Sequence, residues 1–472
     1  MWLWILLAAW IAGWFCIPHL LLLNKRPTAT LAWLWALILF PVFGPTLYLM
    51  IGAEHIKRLR MKRRQAFRGS VARKRRDSHS SKSHSQKDKV EPPDAFLHSL
   101  SKITQLPVST AHGIRVLRRA PAFYEALQTD VKNAKNHVHI KTYIWRDDEV
   151  GKEFLNILVD AASRGVKVRV LVDELGSLTL KERYFQPLVA AGGEFSWCHT
   201  LSPLRSRYSF NLRNHRKLQV IDGKIAFVGG MNFGREYLGL DPVDGDWADV
   251  QLRVEGPVVD ILQDVFAEDW FFGTSKDDVR DDAPAKATHE GTGIQVLRGG
   301  PDEEDHPMLR VNMALIAQAT KRLWIGTGYF VPGEIIQTAL QVTAARGVDV
   351  RLLVSQKSEH PLLVKAGRSY YDALLRQGIR IYEYHRGIEH SKYIIIDDDL
   401  VSLGSANLDE RSMRLNFELN LLLRCKKTNH EMAHIFQTTI AESREIDPDA
   451  FSQRPYREKL IESALRPLSP VL

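Results

Sequence analysis

The chain contains one polar motif twice, at identical internal spacing. Residues 215–232 read HRKLQVIDGKIAFVGGMN and residues 390–407 read HSKYIIIDDDLVSLGSAN, so both match H-x-K-x4-D-x6-G-[GS]-x-N. One match of this kind is a weak signal, because short motifs recur by chance. Two matches without an insertion predict that a single site is assembled from two copies of a domain.

Two further landmarks repeat in the same order. GIRVLR at 113–118 returns as GIQVLR at 293–298, and AASRGVKVRVLVD at 161–173 returns as TAARGVDVRLLVS at 343–355. The period, about 180 residues, is too long for a solenoid repeat. The sequence therefore indicates that a whole domain has been duplicated.

Each half alternates strand and helix patterns. Residues 138–145 are rich in β-branched and aromatic residues, residues 152–164 place apolar residues at helical spacing, and residues 166–172 alternate as a strand does. The second half repeats this order around a helix near 334–345. This pattern predicts the α/β class, with two tandem α/β sandwich domains.

The predicted folded body consists of three segments. The first domain spans residues 96–275, the second domain spans residues 292–472, and a polar connector at 276–291 joins them.

The N-terminus is apolar. No Lys, Arg, Asp or Glu occurs in residues 1–24 or 27–53. Each run is long enough for a membrane span, which needs about 20 apolar residues. We predict a two-helix transmembrane hairpin within residues 1–53, with helices at about 2–23 and 28–52. The alternative, a cleaved signal peptide, lacks a basic n-region and leaves the second run unexplained.

A basic linker follows at residues 54–95. Residues 54–89 hold 14 Lys and Arg against three acids, a net charge of +11, whereas the whole chain carries +9 and the remainder therefore carries −2. The high pI thus gives little support for nucleic-acid binding by the body. Beside a membrane span, such a linker predicts contact with anionic lipid headgroups and places the following domains in the cytoplasm.

The repeated motif suits phosphodiester chemistry. Side chains two apart on a strand share a face, so each histidine should project with its lysine. One imidazole can attack phosphorus while the other transfers protons to and from the alcohols. The ammonium groups and amides would stabilise the phosphate oxygens, so we expect neither a metal nor a cofactor. The residues concerned are His215, Lys217, Asn232, His390, Lys392 and Asn407.

Four carboxylates accompany these groups. Asp249 and Glu418 follow the two motifs and are candidates to accept the far N–H of each imidazole, which would fix its tautomer. Asp222 and Asp397 lie inside the motifs, and their residue type leaves a structural role and a catalytic role equally open.

The motif resembles the HKD motif of the phospholipase D superfamily, and the resemblance covers roughly residues 96–472. Together with the apolar N-terminus, GYFVP at 328–332 and SANLDERSMRLNFE at 405–418 are more narrowly similar to membrane-anchored bacterial cardiolipin synthases. The resemblance implies two α/β sandwiches about a pseudo-two-fold axis. It also implies reversible transfer of a phosphatidyl group between two phosphatidylglycerol molecules through a phosphohistidine, giving cardiolipin and glycerol at the bacterial inner membrane.

The same resemblance implies which motif residues are catalytic, and it favours the first-half histidine as nucleophile. One departure is Gly230, where the motif more often has serine, as at Ser405; we expect it to remove a hydroxyl contact without abolishing chemistry. The implied catalytic positions are His215, Lys217, Asp222, His390, Lys392 and Asp397.

Other functions stay open at this point. A hydrolytic phospholipase D or another transphosphatidylase would use the same groups. A nuclease of the superfamily is disfavoured by the apolar N-terminus and the charge of the body, and a non-enzymatic scaffold is disfavoured by two complete motifs. The basic and aromatic stretch at 202–213 suits either headgroup contact or an ordinary surface loop.

Overall fold

The computed structural model describes residues 2–23, 27–40, 42–48, 94–198, 213–239, 245–276, 291–303 and 305–468. The chain divides into two compact units, an N-terminal unit and a body that contains both motifs. The predicted linker lies outside the described residues except for residues 94 and 95, and residues 277–290 of the predicted connector lie outside them too.

The described residues of the N-terminal unit form three helices, α1 (Trp2–Leu22), α2 (Pro27–Leu39) and α3 (Phe43–Leu47). Helix α1 coincides with the first predicted span, but the second predicted span is divided between α2 and α3. None of the helices in the described part of the chain is both long and apolar enough to cross a membrane. The predicted transmembrane hairpin is therefore not confirmed.

The body contains helices in both halves. Asp94 begins the first of them, since its carboxylate accepts the backbone N–H groups of Phe96 and Leu97. The helices are α4 (Ala95–Thr104), α5 (Arg119–Asn133), α6 (Glu149–Ser163), α7 (Gln186–Ala190), α8 (Val258–Thr274), α9 (Pro307–Gln318), α10 (Gly333–Ala345), α11 (Pro361–Arg368), α12 (Tyr371–Leu375), α13 (Glu410–Arg414), α14 (Lys426–Ala441), α15 (Pro448–Ser452) and α16 (Tyr456–Leu465).

The strands follow the same duplication. Those of the first half are β1 (Ser109–Arg118), β2 (His137–Thr142), β3 (Lys167–Val172), β4 (Glu194–Trp197), β5 (Leu218–Ile221), β6 (Ile225–Gly229), β7 (Asp246–Ala248) and β8 (Val250–Glu255). Those of the second half are β9 (Thr292–Gly299), β10 (Arg322–Thr327), β11 (Phe330–Val331), β12 (Asp349–Ser355), β13 (Arg380–Tyr384), β14 (Gly387–Glu389), β15 (Lys392–Ile396), β16 (Leu400–Gly404), β17 (Leu408–Asp409), β18 (Glu418–Arg424) and β19 (Ser443–Glu445).

Strands of both halves join one sheet. Strands β1 and β9 pair antiparallel at the junction, where Ser109 lies opposite Ile294. Read outward from there, the first half has the order β1-β8-β6-β5-β2-β3-β4, and the second has β9-β18-β16-β15-β10-β12-β13-β19. Corresponding strands occupy corresponding positions, with β19 added at one edge, so the predicted duplication is confirmed as two tandem α/β domains.

Each half has its own apolar core. The first core packs α5 and α6 against the sheet through residues such as Phe123, Phe154 and Val170, and the second packs α9 and α10 through residues such as Leu315 and Ile336. The parallel strands β3 and β12 are buried along most of their length, because helices cover the sheet. The predicted strand, helix, strand order is confirmed in both halves.

Candidate active site

The two motifs lie at equivalent places, each near the middle of its own half of the sheet. Strands β5 and β6 carry the first motif, and strands β15 and β16 carry the second. His215 and Lys217 precede β5, and His390 and Ser391 precede β15, so the histidines lie just outside the strands in which the sequence pattern placed them. At these ends the histidines face residues of the other half.

Backbone pairing across the halves fixes which carboxylate each histidine meets. Strand β14 pairs parallel with β7, so that Glu389 lies opposite Ala248, and the backbone N–H of His390 donates to the carbonyl of Ala248 at 2.8 Å. The next residue after Ala248 is Asp249, which is thereby brought beside the His390 ring.

The other histidine is placed in the same way. Asn214 forms a β-bridge with Phe417, and the backbone N–H of His215 donates to the carbonyl of Phe417 at 2.9 Å. Because Glu418 follows directly, its carboxylate reaches the His215 ring. Each imidazole is therefore oriented by a carboxylate from the opposite half.

The His215 ring binds acceptors through one nitrogen. His215 Nδ1 lies 3.1 and 3.2 Å from the two carboxylate oxygens of Glu418 and 3.0 Å from the carbonyl of Ser405. Since all of these are acceptors, Nδ1 carries the proton, and Nε2 of the neutral ring is left with its lone pair. Burial lowers the pKa of His215 to about 4, even though Glu418 opposes that shift.

Hydrogen-bond donors surround Glu418. Its carboxylate accepts the hydroxyl groups of Ser405 at 2.5 Å and Ser412 at 2.9 Å, and the Asn416 amide at 3.3 Å. Burial alone would raise the pKa of this carboxyl, but the charge and hydrogen bond of His215, the charge of Lys217 and the hydroxyl of Ser405 lower it overall. Glu418 is therefore ionised in the folded protein near neutral pH.

The second pair has a different environment. Asp249 Oδ2 lies 2.7 Å from His390 Nδ1, and the Tyr237 hydroxyl lies 3.3 Å from the same nitrogen. Among the described residues, the other hydrogen bond to this carboxylate comes from the backbone N–H of Val250 at 2.7 Å. Burial raises the pKa of Asp249 to about 7, against the opposing effect of Lys392. The His390–Asp249 pair therefore retains a proton near neutral pH.

Gly230 makes room for this carboxylate. A Cβ atom at Gly230 would lie 2.4 and 2.6 Å from the two Asp249 oxygens, which is closer than side chains approach. The equivalent residue of the second half, Ser405, instead donates to the longer Glu418 side chain. The departure from the serine pattern thus accompanies the exchange of glutamate for aspartate.

The two lysines are buried beside the histidines. Lys217 Nζ donates to the carbonyl of His215 at 2.9 Å, and Lys392 Nζ donates in the same way to the carbonyl of His390. Burial lowers the pKa of both ammonium groups, and carboxylates including Glu418 and Asp249 partly offset this effect.

The two asparagines differ in their contacts. The Asn232 amide donates to the Tyr237 hydroxyl at 2.8 Å, and its carbonyl oxygen accepts from the backbone of Ile144 at 3.1 Å and from Thr142 at 3.2 Å. In contrast, Asn407 Oδ1 is buried and has no hydrogen-bond partner among the described residues. The Asn232 amide therefore holds neighbouring loops in place, whereas the side-chain oxygen of Asn407 accepts no hydrogen bond from the described residues.

The two motif aspartates brace the backbone of a neighbouring strand. The Asp222 carboxylate accepts the N–H groups of Lys135, Asn136 and His137, at 2.7–2.9 Å, where β2 begins. Asp397 accepts the equivalent N–H groups of residues 320–322 before β10, and these bonds lower its pKa despite partial burial. Their carboxylates contact these strand starts, at the opposite end of the motif strand from the histidines.

Sequence reasoning missed several neighbours of the histidines. The Tyr143 ring lies edge-on to His215 with centroids 5.0 Å apart, and the Tyr237 ring lies edge-on to His390 at 5.7 Å. Glu389 is buried and lines, with Asp249, a small cavity of about 10 Å³, and burial raises its pKa to about 8. Asn214 occupies the position before the first motif histidine that Glu389 occupies before the second, so the repeat offers no signal for Glu389 or for the tyrosines.

Comparison with known proteins agrees with this arrangement. Residues 127–270 and 313–440 match the family model described as "Cardiolipin synthase, PLD-like domain". The chain is 37% identical over 456 residues to a cardiolipin synthase of Geobacillus kaustophilus, covering 95% of this chain and 90% of the relative. It is also 37% identical over 455 residues to cardiolipin synthase 2 of Bacillus anthracis, covering 95% and 88% respectively.

A solved structure supports the fold. The phosphatidylserine synthase of Haemophilus influenzae superposes with a TM-score of 0.61 at 16% sequence identity, covering 80% of this chain and 100% of that one. The two segments matched by the family model correspond to the two halves of the duplicated sheet, and the relatives match over nearly their whole length. The chain therefore belongs to the cardiolipin synthase family and is built from phospholipase D-like domains.

Proposed function

We propose that this protein is a phosphatidyltransferase that makes cardiolipin from two phosphatidylglycerol molecules and releases glycerol. The observation that carries the proposal is the crossed pairing of the two histidines with Glu418 and Asp249. It provides one imidazole with a free lone pair and one pair that retains a proton, which a two-step displacement at phosphorus requires.

In the first step, His215 Nε2 attacks the phosphorus of the donor lipid. The bond from phosphorus to the glycerol headgroup oxygen breaks, and His390 Nε2 gives its proton to that oxygen, so neutral glycerol leaves. The proton shared between Asp249 and His390 Nδ1 stays on Nδ1, which leaves a neutral imidazole beside an ionised Asp249. A phosphatidyl group is then bound to His215. Glu418 stabilises the positive imidazole that results, because its carboxylate already contacts Nδ1.

In the second step, the primary hydroxyl of a second phosphatidylglycerol takes the place of glycerol. His390 accepts the hydroxyl proton while the oxygen attacks phosphorus, and the bond to His215 Nε2 breaks. Cardiolipin is released with both histidines in their starting states. The two steps use the same groups in opposite directions, so the transfer is reversible.

The lysines and Asn407 support charge on the phosphate. Lys217 and Lys392 are buried cations next to the two histidines, so an anionic phosphate would offset their burial. We further propose that the amide N–H groups of Asn407, which belongs to the second motif, donate to the phosphate oxygens. We assign catalytic roles to the histidines and lysines, and supporting roles to Asp249, Glu418 and Asn407, while Asn232, Asp222 and Asp397 act on the framework.

The enzyme acts at the bacterial inner membrane in this proposal. The apolar runs at 1–24 and 27–53 anchor the chain, and the basic linker at 54–95 contacts anionic headgroups on the cytoplasmic side. Anchoring raises the effective concentration of the second lipid near the intermediate. Protease protection of a C-terminal tag in sealed inverted vesicles would contradict this orientation, whereas digestion is expected.

Product analysis tests the reaction. Purified full-length protein in mixed micelles with phosphatidylglycerol as the only phospholipid should form cardiolipin and glycerol in equal amounts. Phosphatidic acid as the main product would instead identify a hydrolase, and metal-free DNA cleavage would identify a nuclease. His215→Ala and His390→Ala should each abolish transfer, whereas His385→Ala, which removes an exposed histidine of the same half, should not.

A further inference from the structure

Arg216 lies between the histidine and the lysine of the first motif, but its side chain reaches the second half. The side chain is fully buried. Its Nε donates to the backbone carbonyl of Glu418 at 3.1 Å, and its Nη2 donates to that of Gly299 at 3.0 Å. Residues 418 and 299 lie opposite each other where β18 pairs with β9, so one guanidinium binds both strands at the end of their ladder.

An aspartate of the first half binds the other side of this guanidinium. Arg216 Nη1 donates to the two carboxylate oxygens of Asp269 at 3.0 and 3.1 Å. Asp269 belongs to α8 and is itself buried, and Lys141 of β2 contacts the same carboxylate. The N–H groups of a guanidinium diverge in a fixed plane, so acceptors on three sides hold it in one orientation. Arg216 therefore connects α8 of the first half to β9 and β18 of the second.

The contact with residue 418 bears directly on His215. The backbone N–H of His215 donates to the carbonyl of Phe417, and its ring nitrogen meets the carboxylate of Glu418. The Arg216 guanidinium also lies over the Phe417 ring, 5.6 Å from the ring centroid. Arg216 thus contacts the same two residues of the second half. A shift of their backbone would move the Glu418 carboxylate away from the imidazole.

The second motif has serine at the equivalent position. The hydroxyl of Ser391 donates to Glu389, which belongs to the same half. The guanidinium bridge between the halves therefore accompanies His215, the histidine that attacks phosphorus in the proposed reaction.

We propose that Arg216 is a positioning residue that holds the backbone of Glu418 so that its carboxylate stays beside His215. This inference rests on the proposed function, in which His215 becomes positively charged when it attacks phosphorus. Glu418 stabilises that charge while it lies at hydrogen-bonding distance from Nδ1, now 3.1 Å. Arg216 acts through Glu418 and not on the lipid, so its loss should slow the chemical step and leave lipid binding unchanged.

Steady-state kinetics of Arg216→Met test this role in the full-length enzyme. Methionine keeps an unbranched side chain but has no N–H groups, so both carbonyl contacts are lost. A shift of about 1 Å in the Glu418 carboxylate should lower kcat about 10- to 100-fold, while KM for phosphatidylglycerol stays within about twofold. Arg216→Lys keeps a cation beside Asp269 without the planar fork, and it should recover part of the lost kcat.

Arg298→Met is the matched control. Arg298 is a buried arginine of β9, and its guanidinium donates across the halves to Glu268 of α8 at 3.2 Å. Loss of this buried ion pair should lower the unfolding temperature, whereas kcat of the folded protein should stay within about twofold of normal.

The outcomes are distinct. Equal losses of kcat in Arg216→Met and Arg298→Met would tie the rate to stability of the contact between the halves and overturn the positioning role, as would a raised KM with normal kcat. If Arg216→Met does not fold, Arg216→Lys decides, because a normal kcat in that variant overturns the role. Phosphatidic acid in place of cardiolipin from the unaltered enzyme would instead overturn the proposed function, and the same comparison of kcat would then be made on that product.

Discussion

Substitution Gly230→Ala should inactivate His390 indirectly, by displacing its hydrogen-bond partner Asp249. Its Cβ would lie 2.4 Å from Asp249 Oδ1, whereas ordinary contact begins at 3.4 Å, so the carboxylate must move by about 1 Å. The hydrogen bond to His390 Nδ1, now 2.7 Å, would lengthen beyond bonding distance. A displacement of about 1 Å in a catalytic group lowers the rate roughly 100-fold, or about 2.7 kcal/mol of activation free energy.

The assay is the initial rate of cardiolipin formation in mixed micelles, with the unfolding temperature measured for each variant. Gly293→Ala serves as the control, because a Cβ there would meet only Leu97 Cδ1, at 3.6 Å. Its rate should equal that of the unaltered protein.

A double-mutant cycle shows whether the effect passes through the carboxylate. In an Asp249→Ala background, Gly230→Ala should lower the rate little further, because the group that it displaces is already gone. Additive losses, or a normal rate for Gly230→Ala alone, would show that the effect does not pass through Asp249.

Three further changes test other parts of the site. The pKa of His215 is about 4 and that of Asp249 is about 7. We therefore expect kcat/KM to rise as the pH increases through about 4, where His215 loses its proton, and to fall above about 7, where the His390–Asp249 pair loses its proton. A flat pH profile would contradict these roles. Asp222→Asn and Asp397→Asn should each lower the free energy of unfolding by about 1–3 kcal/mol in denaturant titrations, with kcat of the folded enzyme nearly retained. Lys217→Met should abolish transfer and lower the unfolding temperature, since it leaves the buried Glu418 carboxylate with one fewer cation nearby; a normal rate would contradict the catalytic role.

The sequence was sufficient to predict the architecture of the body. Repeated landmarks such as 113–118 and 293–298 gave the duplication, and periodicity gave the strands and helices on either side of it. These are local signals, and the apolar cores of the two halves form from them independently. Asp249 and Glu418 were proposed from sequence as partners of the histidines because one follows each motif, and in the structure each lies at hydrogen-bonding distance from a histidine ring.

The crossed arrangement could not be predicted. It depends on pairing between β7 and β14 and on the bridge between Asn214 and Phe417, which join residues far apart in the chain. Nothing local to His390 indicates a carboxylate from the other half. The resemblance also grouped Asp222 with the catalytic residues, although its carboxylate binds the backbone at the start of β2.

The role of Gly230 likewise could not be predicted from the sequence and is visible only in the folded chain. In sequence it is a missing hydroxyl, whereas in the folded chain it is the space occupied by Asp249.

We propose that the two domains together build one active site. Rapid mixing of the full-length enzyme with phosphatidylglycerol labelled in its acyl chains, followed by acid-free denaturation, measures the covalently bound phosphatidyl group per chain. We predict at most one group per chain, on His215, and none in His215→Ala. Two groups per chain, or a label on His390 that persists in His215→Ala, would show two independent sites instead of one shared site.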